Sequence, residues 1–439
     1  MAESLISNLQ SPKRQSAVKE FRMLTLSDKL KSLGVKLGAR DLLRPEPDEG
    51  PPSEPREGTY AIEQVVPGRV QPTELGDAFV VETIYTPEYR HGHMGLRTTA
   101  SLHMMAEWAG EQRLAGCESP GLVFLDTETS GLAGGAGTYA FLIGAGRFEG
   151  DHFRLLQFFM RDPAEEPAQL AALTEFLQPC EALVTFNGKS FDVPLLNSRY
   201  TVHGRATPLT APAHLDLLHL ARRLWRDRLP SRALGQLEIH ILGANRSPED
   251  VPGWLIPQLY FDYLSSGDAR PLKGVFYHNA MDVVAMAALL THMAHLLNDP
   301  QNTALEHGLD VVALAKLFED LGRLEAAVQL YERGLAYSNL PEESYWDTQR
   351  RLSLAQRRQG DLAGALNTWR LAAEGRQIYA HVELAKYYEH QARDYREAVR
   401  WTQAALNLLN TPTFPRYERR LWLADLQHRL ARLQRKLDR

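Results

Sequence analysis

Residues 121–143 read GLVFLDTETSGLAGGAGTYAFLI. Leu122 to Leu125 are apolar at consecutive positions, as in a strand covered on both faces. The run then meets two acids one residue apart. Side chains at i and i+2 on a strand point the same way, so Asp126 and Glu128 share one face at the exit of a presumed central strand. Solvated strand-end acids are the ordinary explanation for such a triplet, and its position after a buried strand argues for something more.

Two further acids sit in similar places. In ALVTFNGKSFDVPLL (182–196) an apolar strand ends at the turn dipeptide Asn187-Gly188, and Asp192 precedes Pro194 at the start of a helix. Proline at the first helical position would make Val193 the cap, which puts Asp192 one place early for that job. In YHNAMDVVAM (277–286), His278 and Asp282 are four apart at the head of a helix that is apolar nearly all round, so they share a face. Unpaired charge on such a helix is costly, and a polar cavity beside it is expected.

The chain has 439 residues, 44% of them hydrophobic, and is long enough for two or three domains. Its two cysteines, Cys117 and Cys180, lie far apart, which indicates neither a disulfide framework nor a zinc knuckle. The start, MAESLISNLQSPKRQ, lacks a basic segment followed by an apolar core, and no window reads as a membrane-spanning run of about 18 apolar residues, so a cytoplasmic protein with no membrane partner is expected. A net charge of −5 argues against coating nucleic acid through a global field.

Four regions follow. Residues 1–58 hold a helical segment and a Pro/Glu-rich linker, PEPDEGPPSEPREG. Residues 59–120 read as a small β extension and a helix. Residues 121–300 alternate strands and helices in an α/β pattern with a central sheet. Residues 301–439 show no strand signal. There GRLEAA, GDLAGA and RDYREA recur from Gly322, Gly360 and Arg393, at offsets of 38 and 33 residues. The period resembles that of the tetratricopeptide repeat, with Ala327, Ala365 and Ala398 at the small position and Tyr331 and Trp369 at the large one. A plain array of helical hairpins is the alternative.

With three ordered acid motifs in one domain, the chain resembles the DEDD superfamily of 3′-to-5′ exonucleases, and in particular the bacterial YprB-like group with C-terminal tetratricopeptide repeats. LDTETSGL is similar to the first motif, TFNGKSFD to the second and HNAMD to the third. The resemblance implies a ribonuclease H-like mixed central sheet flanked by helices, followed by an all-α repeat domain. It also implies a hydrolase in which Asp126, Glu128, Asp192 and Asp282 hold two Mg²⁺ or Mn²⁺ ions. His278 would be the base, although Tyr277 occupies the place usual in the histidine subclass, and the four-residue spacing is that of the tyrosine subclass. Ser130, Gly131 and Leu132 would border a terminal nucleotide.

Clustered carboxylates repel one another, and divalent cations relieve that repulsion. All-oxygen ligands select Mg²⁺ or Mn²⁺, and two ions about 3.5 to 4 Å apart activate a water and stabilise the leaving oxygen in phosphodiester displacement. The expected partner is single-stranded DNA or RNA, with a protein partner through the repeats. Arg222, Arg223 and Arg226 interleaved with Trp225 suit a strand backbone and a stacked base, and Asn187 and Lys189 lie where a phosphate would pass. A solvated basic helix face explains the arginines equally well. A non-catalytic scaffold on a relic nuclease domain and an endonuclease on the same fold are the competing readings.

Overall fold

The computed structural model describes residues 60–131 and 137–438. The expected N-terminal helical segment and linker, Leu132 and most of the glycine-rich turn lie outside the described residues.

Among the described residues nine strands are formed: β1 Gly68–Thr73, β2 Gly76–Tyr85, β3 Arg90–His91, β4 Met94–Gly95, β5 Leu122–Thr129, β6 Ala140–Glu149, β7 His152–Phe159, β8 Ala182–Thr185 and β9 Ala213–Asp216. Seven of them make one sheet in the order β1-β2-β7-β6-β5-β8-β9, while β3 and β4 pair separately. β5 is antiparallel to β6 and parallel to β8, and β8 is parallel to β9, so the sheet is mixed. The expected β extension is not a separate piece. β2 pairs along β7, from Phe79 opposite Phe159 to Tyr85 opposite Phe153, and carries the central sheet outward.

The longer helices of this region are α1 His103–Ala109, α2 Glu166–Phe176, α3 Asp192–Val202, α4 Leu217–Trp225, α5 Ile256–Ser266 and α6 Leu272–Asn298. Strand alternation divides the core. Leu122 and Phe124 pack with Val283, Val284 and Ala287 of α6 on one face, and Val123 and Leu125 pack with Leu173 of α2 and Leu196 of α3 on the other. α6 lies close to the sheet because β6 carries glycine beneath it. A Cβ at Gly144 would sit 2.3 Å from Asn279 Oδ1, and one at Gly146 would sit 2.9 Å from Val283. By length and composition α6 could cross a membrane, contrary to the reading that no window qualifies, but 78% of its most apolar window is buried inside the protein. Its hydrophobicity is that of a core helix clamped between a sheet and a helical array.

Two helix boundaries differ from expectation. α3 starts at Asp192 itself, with Pro194 inside the first turn, where the missing amide costs nothing. α6 starts six residues before His278, so the His278–Asp282 pair sits within the helix and not at its head.

Beyond residue 301 the described chain is all-helical. Three hairpins, α7 Gly308–Asp320 with α8 Leu324–Leu335, α9 Glu342–Gln359 with α10 Leu362–Glu374, and α11 Ile378–His390 with α12 Tyr395–Leu409, are followed by α13 Arg416–Leu437. Ala327, Ala365 and Ala398 are fully buried, as are Tyr331 and Thr402, and Trp369 is 2% exposed. The basic last helix is anchored through Glu389, whose fully buried carboxylate meets Arg429, Arg432 and Lys436. These partners hold Glu389 down at about 2 against the opposing cost of burial. The hairpin turns place Gly322, Gly360 and Arg393 in the left-handed region, at φ 72°, 94° and 54°. Arginine has a Cβ that disfavours this conformation. Arg393→Gly is therefore expected to stabilise the protein by about 0.5–1 kcal/mol in urea unfolding; a loss of stability would show that the turn is not strained.

Candidate active site

Asp126 and Glu128 lie on the face of β5 that looks toward α6 and carries Phe124. Asp126 Oδ2 accepts from Asn279 Nδ2 at 2.9 Å, and Asn279 Oδ1 accepts from Gln157 Nε2 at 2.9 Å. Gln157 Nε2 also donates to the Phe276 carbonyl at 2.8 Å. This fully buried chain of amides fixes the Asp126 carboxyl against α6. Thr127, pointing to the opposite side of the strand, donates from Oγ1 to Asp192 Oδ1 at 2.5 Å. Asp192 is 9% exposed and opens α3.

The four acids stand close enough to perturb one another. Burial raises Asp126 well above the usual carboxylate range, and Asp282, Glu128 and Asp192 push it further. Glu128 is likewise raised well above its usual range by burial, then by Asp282 and Asp192. Asp192 is pushed up to about 6, chiefly by burial and in spite of the Thr127 hydrogen bond. Asp282 is raised by burial against the pull of Arg246 and His278.

Arg246 has no counterpart in the sequence-derived set. Its guanidinium meets Asp282, donates from Nε to Glu238 Oε2 at 2.9 Å, and lies 3.6 Å from Asp250. Glu238 is 1% exposed and also meets His91 Nε2 at 2.8 Å. His278 Nδ1 lies 2.7 Å from Asp250 Oδ1 and 3.4 Å from Arg246 Nη1. The shorter contact, to an acceptor-only carboxylate, assigns the proton to Nδ1 and leaves the Nε2 lone pair facing the cleft, 3.7 Å from Asp282 Oδ2. Tyr277 turns elsewhere, its hydroxyl accepting from the Ser247 amide at 2.9 Å. A cleft of about 530 Å³ opens here, lined in part by Arg246, Asp250, His278 and Asp282.

Among the described residues no three His, Cys, Asp or Glu side chains converge as a ready-made metal centre. Asp282 is engaged by Arg246, and Asp192 by Thr127. The donor set nevertheless suits a hard divalent cation: all oxygen, buried, and destabilised by its own charge.

The expected nucleic-acid contacts divide. Ser130 and Gly131 follow β5 directly, with Ser130 Oγ accepting from the Tyr139 amide and the Gly131 carbonyl accepting from Thr129 Oγ1. The backbone amides of Asn187 and Lys189 donate to Asp216, which pins the loop leading to Asp192 and leaves the Lys189 side chain exposed. Arg222 is exposed beside a cleft of about 490 Å³ that it lines with Asn187 and Arg232. Arg226 is exposed next to Asp227. Arg223 instead pairs with Asp320 at 2.6 Å, tying α4 to α7, and Arg228, in the turn after α4, pairs with Asp310 of α7 at 2.8 Å. Trp225 is a correction. Its ring is 1% exposed against His292 in the core, so it cannot stack on a base.

The RNase_H_2 family model, of the RNase H superfamily, matches residues 123–294, the segment holding all four acids. The chain is 33% identical over 339 residues to the uncharacterized protein YprB of Bacillus subtilis (strain 168), covering 74% of this chain and 79% of that protein. A likeness to the family B DNA polymerase of the archaeon Pyrobaculum calidifontis, at 15% identity and a TM-score of 0.32 over 48% of this chain and 29% of the polymerase, is too slight to carry an argument. With its mixed sheet, its acids on the central strand and this relative, the chain belongs to the YprB family and carries an RNase H-superfamily domain.

Proposed function

We propose that the protein is a divalent-metal-dependent nuclease, specifically a 3′-to-5′ exonuclease of the DEDD type acting on single-stranded DNA or RNA, with C-terminal tetratricopeptide repeats that recruit a protein partner. The observation that carries this reading is the gathering of Asp126, Glu128, Asp192 and Asp282, from three separate elements, into one mutually repelling carboxylate cluster within an RNase H-superfamily domain.

Those four acids would hold Mg²⁺ or Mn²⁺, which when bound supplies charge for the phosphodiester and an acidified water. The chain's own groups do the rest. Asn279 holds the Asp126 carboxyl in place, and Thr127 holds that of Asp192. Asp250 orients His278 so that Nε2 faces the cleft and can take a proton from the attacking water. Asp250 is a positioning residue that also stabilises the imidazolium formed. His278→Ala is expected to lower turnover by about 10² to 10⁴-fold, and Asp250→Asn by less, with a shifted pH profile. An unchanged rate in His278→Ala would remove the residue from the mechanism.

The direct test uses purified protein with Mn²⁺ or Mg²⁺ on 5′-labelled single strands of DNA and RNA. Stepwise shortening from the 3′ end is expected. Cleavage of a circular or 3′-blocked strand would make it an endonuclease, and no metal-dependent cleavage of any strand would leave a non-catalytic scaffold.

A further inference from the structure

The sequence offers seven tryptophans, and among the described residues Trp254 is the only exposed one, at 76%. It occupies a 3-10 turn, Gly253–Leu255, with Pro252 ahead of it and α5 behind it. Ile256 at 1% exposure and Tyr260 at 0% pin that helix to the core, where Tyr260 stacks on Phe141 with ring centroids 4.0 Å apart. The indole is thus presented to solvent by a rigid support, and its exposure contributes nothing to folding.

The location of the turn gives the indole a use. Pro252 and Gly253 line the 530 Å³ cleft together with His278 and Asp282, and a Cβ at Gly253 would lie only 3.9 Å from His278 Nε2. Ile239, 47% exposed, lines the same cleft. A strand whose phosphodiester lay at the acids would bring an adjoining base to this rim, where Arg246 and His278 are the basic groups lining the cleft.

Resting on the nuclease reading, we infer that Trp254 forms a nucleobase-stacking subsite at the mouth of the acidic cleft, taking the flat face of an unpaired base next to the bond being cut. Every base has such a face, so the subsite tolerates sequence but demands an unpaired strand. A duplex end, with its base already stacked and paired, engages it only after fraying. The subsite supplies the aromatic partner that Trp225, buried in the core, does not.

Binding of fluorescein-labelled twelve-residue oligothymidylate and oligouridylate to the full chain, with Ca²⁺ replacing Mg²⁺, tests this by anisotropy. Base-to-aromatic stacking predicts that Trp254→Ala weakens binding about 5- to 150-fold while Trp254→Phe keeps most of the affinity. An oligonucleotide lacking its 3′-terminal base should bind the native protein as weakly as the intact strand binds Trp254→Ala, with no further loss when the two changes are combined. The subsite falls if Trp254→Ala binds within twofold of native, or if the missing base costs as much in the variant as in the native protein. Native protein that cleaves strands while Trp254→Ala binds normally overturns the subsite alone. Native protein that neither binds nor cleaves any strand overturns the nuclease reading and the subsite with it.

Discussion

Asp126→Asn is expected to abolish strand cleavage, by more than about 10⁴-fold, and at the same time to make the metal-free protein more stable by about 1–3 kcal/mol at pH 7.5. The two effects share one cause. Asp126 is buried among like charges that raise its affinity for a proton. Asparagine keeps an oxygen for the Asn279 amide and removes a charge that the fold tolerates poorly. The sign follows from proton linkage. A carboxyl raised in the folded state binds more protons there than in the unfolded chain, so stability falls as pH rises through the interval between its ordinary and raised values. For Asp192 that interval runs from 3.8 to about 6. Melting temperature measured in EDTA should therefore decline across it, and Mg²⁺ or Mn²⁺ at pH 7.5 should recover the loss in the native protein but less in Asp126→Asn. A destabilised Asp126→Asn in EDTA would show that the cluster is not a charge-strained pocket.

Arg246→Ala should have the largest effect on folding, a loss of about 3–5 kcal/mol in urea unfolding without metal. The guanidinium is 12% exposed and offsets Asp282, Glu238 and Asp250 together, and removing it strands three acids, two of which, Asp282 and Asp250, already press on Glu128. Glu238 retains His91, which limits the damage on that side. Divalent cations should stabilise this variant more than the native protein, because the ion then supplies the missing positive charge. A loss below about 1 kcal/mol would mean that solvent screens the cluster and that Arg246 is a surface residue in its effect.

The acids were legible because each sits in a locally encoded pattern. Period-two alternation places Asp126 and Glu128 on one side of β5, and an i to i+4 spacing places His278 over Asp282. Asn279, three residues before Asp282, obeys the same helical spacing and faces Asp126. Trp225 is the opposite case. Leu217, Leu220, Ala221, Leu224 and Trp225 are all buried and keep the helical spacing of a core stripe, which the interleaved arginines concealed. Arg246, Glu238, Asp250 and Trp254 left no local signature. They lie in irregular or single-turn segments between α4 and α6, and only long-range packing delivers Arg246, Glu238 and Asp250 to the cleft and sets Trp254 beside the lining residues Pro252 and Gly253. Pairing of β2 with β7 is of the same kind, since it joins residues 68 to 80 positions apart.

The ion pairs from Arg223 to Asp320 and from Arg228 to Asp310 have a consequence for how the molecule would handle cargo. They sit on a continuous apolar seam that runs from Phe124 through α6 to Leu352, which packs the first hairpin of the helical array against the sheet domain. Anything gripped by that first hairpin would be delivered at a set bearing and distance from the acids, much as a workpiece is held by a jig.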